Sequence, residues 1–299
     1  AHTFLSNLTI NGTRLELGKC IRPYQDDRNF PVKDPSSEDM TCRTTSMNVA
    51  DTDICGINAG DTITVEWHET DEQDRAISDS HLGPCLVYIS PLDANGAGKV
   101  WTKIFENGYD PSTKKWCVDI IIASGGKLDV PIPADIEQGY YLMRTEVIAL
   151  HEADRPFGED ENAGAEYFPN CAQVYIIGSG TAQLTGDSAI PGVYTKDEDG
   201  IVFNLYDGYD SYPIPGGTLY EAGSAPVVEK KVDAQSPIDE DGKTSSEEDE
   251  DKKPSSSNKE KASTSKDEKA SSTTDEEANS PNPSSSDKPC VKVKRRRRR

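Results

Sequence analysis

Histidine, methionine and tryptophan are scarce in this chain of 299 residues, which holds 4, 3 and 3 of them. No stretch approaches the roughly 20 apolar residues of a membrane span, so no spanning helix is expected. No signal peptide stands at the start, which leaves a cytosolic chain or one already processed. No hydrophobic segment closes the sequence, so a lipid-anchor signal does not fit. No compact module rich in cysteine and aromatics follows the body, so no appended carbohydrate-binding domain is expected. Positive charge is short as well: 32 Lys and Arg face 53 Asp and Glu, a net charge of -21. A body this acidic argues against binding nucleic-acid phosphates as its main task.

Cysteine is present in a telling pattern. Of seven, six lie before residue 224 (Cys20, Cys42, Cys55, Cys85, Cys117 and Cys171), widely spaced and without a CxxC pair. An even, dispersed set implies three disulfides and a secreted protein. Asn7-Leu8-Thr9 and Asn11-Gly12-Thr13 are N-glycosylation sequons and agree with that reading. The pairing Cys20–Cys55 with Cys85–Cys117 is one arrangement; spacing alone leaves connectivity open. Cys290 is the odd one, free or intermolecular.

Composition divides the chain. Residues 1–223 mix aliphatic, aromatic and turn residues. Residues 224–299 are dominated by Ser, Glu, Asp, Lys, Thr and Pro, and past Ser224 they carry 17 charges of each sign. The negative charge therefore belongs to the body. The tail buries too little apolar surface to order itself and reads as a disordered, O-glycosylated stalk. Its basic end, from Lys292 through five arginines, could contact anionic surfaces. In the body, Thr62–Trp67, Cys85–Ile89, Val100–Phe105, Trp116–Ile121, Tyr140–Leu150 and Ala172–Ile177 are short runs rich in β-branched and aromatic residues, bounded by Gly, Pro, Asn or Asp. No long helical period appears. An all-β sandwich or barrel decorated by long loops follows, with residues 21–53 the longest loop.

The four histidines are His2, His68, His81 and His151. A histidine at a true N-terminus can chelate one metal through its α-amine and ring Nδ1; a further imidazole completes three nitrogens, a set that suits copper. By itself His2 is an incidental residue beside a processing point. Its surroundings say more. His2-Thr3-Phe4-Leu5-Ser6-Asn7-Leu8-Thr9-Ile10-Asn11-Gly12 resembles the mature start of fungal lytic polysaccharide monooxygenases of auxiliary activity family 9. In order, Asp79-Ser80-His81-Leu82-Gly83-Pro84, Ile148-Ala149-Leu150-His151, Gly164-Ala165-Glu166-Tyr167-Phe168-Pro169-Asn170-Cys171-Ala172-Gln173, Ile190-Pro191-Gly192-Val193-Tyr194 and Tyr212-Pro213-Ile214-Pro215-Gly216 resemble further motifs of that family. The likeness spans roughly residues 2–222.

The resemblance implies an immunoglobulin/fibronectin III-like β-sandwich with a flat face that carries one copper ion. It implies that His2 and His81 bind the metal, that His151 lies beside it, and that Cys42 pairs with Cys171. Tyr212 matches a substrate-facing tyrosine of the family; Tyr24 and Tyr209 are weaker candidates. His68, beside Trp67 on a strand, reads as structural. Glu166 and Phe168 stand where the family carries Gln and an axial Tyr. Phe168 would cover the axial position with an apolar ring, and Glu166 could move a proton. A one-residue slip bringing Tyr167 to that position would reverse the strand's faces. Ala1 precedes His2 and reads as the last residue removed in processing. The implied activity is oxidative cleavage of a β-1,4-glucan such as cellulose at C1 or C4. O2 or H2O2 and an external electron donor would be the partners, and the protein would be a secreted monomer. A non-catalytic copper-binding or wall-associated protein on the same scaffold is the alternative.

Overall fold

The computed structural model describes residues 2–23, 29–43, 52–70, 74–184, 186–223 and 290–291. In chain order the strands are β1 (Phe4–Ile10), β2 (Thr13–Glu16), β3 (Ile54–Asn58), β4 (Thr62–His68), β5 (Cys85–Pro91), β6 (Lys99–Asn107), β7 (Tyr109–Asp110), β8 (Lys115–Trp116), β9 (Lys127–Pro131), β10 (Gly139–Ala149), β11 (Glu166–Ile177), β12 (Ser188–Ala189) and β13 (Cys290–Val291). One sheet has the order β2-β1-β4-β9. A second runs β12-β6-β5-β10-β11-β3-β13, and β7 and β8 form a separate ribbon. This is the expected all-β sandwich.

Alternation along the central strands builds two cores, one on each face of the larger sheet. Cys85, Val87 and Ile89 of β5, Met143 and Val147 of β10, and Phe168, Ala172 and Val174 of β11 face the smaller sheet, where Leu8, Val65 and Trp67 meet them. The intervening residues Leu86, Tyr88, Leu142, Ile148, Tyr167 and Cys171 pack beneath the loops on the other side, with Met40, Trp101 and Tyr194. The loops thus roof a second core. That is why β10 is buried on both faces almost throughout instead of showing one wet face.

The three disulfides are Cys20–Cys55, Cys42–Cys171 and Cys85–Cys117, with Cα separations of 5.7, 5.2 and 5.8 Å. Trp116–Ile121, expected as a strand, is different. Cys117–Ala123 forms the helix α1. The Asp119 carboxylate accepts the Trp116 N–H at 2.8 Å at its start, and Cys117, Val118 and Ile121 turn inward. One buried helical face and the bond to Cys85 override the β-propensity of Val118 and three isoleucines. Gly125 and Gly126, at φ 68° and 97°, end the helix.

Of the segment expected to lack structure, Cys290 and Val291 pair antiparallel with Cys55 and Ile54 at the edge of the larger sheet. The rest of that segment (residues 224–289 and 292–299), Ala1 and Tyr24 lie outside the described residues. Among the described residues no helix is long and apolar enough to cross a membrane.

Candidate metal centre

The end of β10 sets the position of the histidines. The Ile148 N–H donates to the Pro84 carbonyl at 3.0 Å, and the Leu150 N–H to the Leu82 carbonyl at 2.9 Å. Segment 81–84 therefore runs along the strand end that leads to His151. Gly83 permits the approach: a Cβ there would overlap the Ile148 carbonyl oxygen. The result is two imidazoles stacked at 4.0 Å between centroids, with 17° between planes. Glu166 joins them because the β10–β11 register pairs it with Ala149. His81, His151 and Glu166 each offer one ligand atom, all within 4.8 Å of one another.

The environment is dry. His81 is only 6% exposed. Its Nδ1 lies 2.8 Å from the Ser80 hydroxyl, and its buried Nε2 has no hydrogen-bond partner among the described residues. Burial, and then the neighbouring His151 charge, holds the His81 imidazole down to about 3; His2 adds a smaller push in the same direction. Burial also lowers His151 and raises the Glu166 carboxyl. His151 Nε2 lies 3.8 Å from Glu166 Oε2. A buried, neutral imidazole with a free nitrogen fits a transition metal, and the Ser80 contact fixes the ring's orientation. The donor set accordingly suits an imidazole-binding transition metal, copper among them, with His81 as its most closely held member.

His2 is not a member of that three-residue group. Its ring packs edge-on against Phe30 at 4.4 Å. The adjoining Thr3 is tied down by its N–H to the Asn29 carbonyl at 2.9 Å and by its hydroxyl to the Ala76 carbonyl at 2.7 Å. Phe168 shares a face of β11 with Glu166 and is fully buried in the core between the sheets. Tyr167 faces the other way and stacks on Tyr194 at 5.4 Å, so the one-residue slip is absent from this register.

Tyr212 is half-buried. Its hydroxyl donates to the Gly200 carbonyl at 2.6 Å, and its ring stands edge-on to Trp116 and Phe203. Tyr209 belongs to the same group and accepts the Trp116 indole N–H at 2.8 Å. His68 lies elsewhere, held by Glu66 at 2.8 Å and the Asp74 carbonyl at 3.1 Å.

Two residues next to the site were not singled out from the sequence. Tyr206 is 74% exposed, and its hydroxyl donates to the His151 carbonyl at 3.2 Å. Lys33 reaches in from the 29–43 loop, 2.8 Å from Glu152 and 4.0 Å from Glu166. Both lie in irregular segments whose composition resembles any solvated loop, so only tertiary placement reveals them.

The sequence profile of Auxiliary Activity family 9 (formerly GH61) matches residues 2–212. The AA9 family lytic polysaccharide monooxygenase A of Aspergillus niger is 38% identical over 229 residues, which are 75% of this chain and 54% of that protein. The AA9 family lytic polysaccharide monooxygenase B of Emericella nidulans is 40% identical, over 75% of this chain and 61% of that protein. The chain thus spans just over half the length of these relatives. Among solved structures, CvAA9A superposes with a TM-score of 0.68 at 33% identity, covering 73% of this chain and 98% of that one. A cellulose-active polysaccharide monooxygenase from M. thermophila superposes with a TM-score of 0.59 at 26% identity, covering 73% and 99%. With a profile match over residues 2–212, most of its length, the chain belongs to Auxiliary Activity family 9.

Proposed function

We propose that the protein is a secreted, copper-dependent enzyme that cleaves a β-1,4-linked glucan oxidatively at C1 or C4. The observation that carries this reading is the buried His81 Nε2, without a protein partner among the described residues and stacked on His151 beside Glu166. Copper would be held by His81 and by the ring and α-amine of His2, which requires a chain that begins at His2. Bound copper supplies the one-electron chemistry that lets O2 or H2O2, with an external donor, attack a sugar C–H bond. The protein's own groups do the rest. His151 and Glu166, 3.8 Å apart, hold and pass protons at the edge of the centre. Phe168 closes the side toward the core with an apolar ring. Tyr206 offers an exposed ring for stacking on a sugar; Tyr212 supports the surface from beneath. Cellulose is the favoured glucan because the structurally similar monooxygenase from M. thermophila is cellulose-active.

The test is product release. Wild-type protein with copper and a reductant should liberate oxidised oligosaccharides from cellulose, and His81→Ala should release none. Equal release by His81→Ala would refute the assignment. The Glu166/Phe168 pair favours a second reading, a copper-binding protein without oxidation. That reading requires stoichiometric copper uptake with no oxidised product under any donor.

Of the two sequons, we assign the glycan to Asn11. It is exposed in the β1–β2 turn at φ 50°. Asn7 is 2% exposed and accepts a hydrogen bond from Arg14 at 2.9 Å.

A further inference from the structure

We infer that Lys33 is a positioning residue that keeps the Glu166 carboxylate beside the metal and prevents it from becoming a ligand. The inference rests on the copper reading above. A carboxylate here creates a problem that a neutral amide would not. It places an anionic oxygen within 4.8 Å of two imidazole nitrogens, and carboxylates join the coordination of divalent metals readily. Something must hold it back.

Lys33 is placed to do so. Val32 exchanges both backbone hydrogen bonds with Tyr167, each at 2.8 Å. This pins the neighbouring Lys33 alongside Glu166. The ammonium is itself anchored on its far side, 2.8 Å from Glu152 Oε2 and 2.9 Å from the Asn162 carbonyl. It therefore cannot follow Glu166 toward the centre. Its Nζ lies 4.0 Å from Glu166 Oε1, while Oε2 faces His151 Nε2 at 3.8 Å. The N-terminal amine also acts on the carboxylate; with that amine on the metal, Lys33 would remain as the fixed cation on one side, with an imidazole on the other. With side chains 24% and 8% exposed, the pair is less screened than a surface ion pair.

The test uses protein whose chain begins at His2, as wild type, Lys33→Met, Lys33→Arg and the double variant Lys33→Met/Glu166→Gln. Electron paramagnetic resonance of added Cu(II) and competitive copper titration are the readouts. In Lys33→Met the spectrum should change to that of a centre with an added oxygen ligand. The same variant should bind Cu(II) about tenfold tighter, because a cation is lost and an anionic ligand gained. Lys33→Arg should retain the wild-type spectrum. The double variant should return to it, because a neutral amide is a poor ligand. An unchanged Lys33→Met spectrum would overturn the inference, as would a change that persists in the double variant. A metal-free comparison separates this from the copper reading. The 15N shifts of the His151 ring should move in Lys33→Met and not in Lys33→Arg. If wild-type protein took up no Cu(II), the functional reading would fail while this comparison still tested the hold of Lys33 on Glu166. Unmoved shifts would then overturn the inference by themselves.

Discussion

Gly83 carries no functional group, yet the stacking of His81 on His151 depends on it. In Gly83→Ala the new methyl would overlap the Ile148 carbonyl, so segment 81–84 must lift away from the strand. A cost of about 2 kcal/mol is expected, read as a lowered unfolding temperature in the metal-free protein together with weaker copper binding. His81 gives the site a pH signature. Its folded-state pKa is about 3 against an ordinary 6.5, so unfolded chains take up a proton that the folded one refuses. Stability should therefore fall as pH drops from about 6.5 toward 3. His151 acts in the same sense. Glu166, raised by burial, acts in the opposite one, because the folded state takes up its proton first. Denaturant melts across that range should show a shallower fall for His81→Gln than for wild type. At the exposed end of the site, Tyr206→Ala should weaken cellulose binding by up to about tenfold, the scale of one aromatic stack. The histidines were legible in the sequence because they are few and sit in recognisable motifs. Tyr206 and Lys33 were not, because their importance comes from which loop folds beside which strand.

At the scale of elements, β10 and β11 hold the site, and β10 carries an unusual interior. Arg144 and Glu146 are both fully buried, joined at 2.8 and 2.5 Å. Glu146 also accepts the Tyr194 hydroxyl at 2.5 Å, and Tyr194 meets Tyr88 at 2.9 Å. Arg144 further donates to the Met40 and Thr41 carbonyls at 2.9 and 3.2 Å, which ties the roofing loop to the sheet. Arg144→Met alone should cost about 3–5 kcal/mol, because it strands a buried carboxylate. Arg144→Met with Glu146→Leu should recover most of that in chemical denaturation. The strands themselves could be read from their alternation and flanking turns. Helix α1 could not: its run of Val and Ile carries the composition of a strand, and the disulfide partner of Cys117 and the Asp119 cap decide otherwise. The second core was equally hidden, because Arg144 and Glu146 make that face of β10 read as polar and solvent-facing, although loops cover it.

For the molecule as a whole, Cys42–Cys171 closes a loop of 129 residues and fastens the 29–43 loop to β11. Replacing both cysteines with serine should cost about 5 kcal/mol through the unfolded chain's regained freedom, measurable as a lower denaturation midpoint. The metal centre should loosen with it, because Lys33 and Phe30 ride on that loop. The two ends of β1 differ in their surroundings. His2 lies two residues before β1 and Asn11 directly after it, so at about 3.3 Å per residue the two are separated by up to roughly 30 Å. A glycan on Asn11 would project from the end of the sandwich remote from the substrate-facing surface. Protein from hosts that add large or small sugars, or none, should then work equally well, and the choice of expression host becomes one of yield and of correct processing at the first residue.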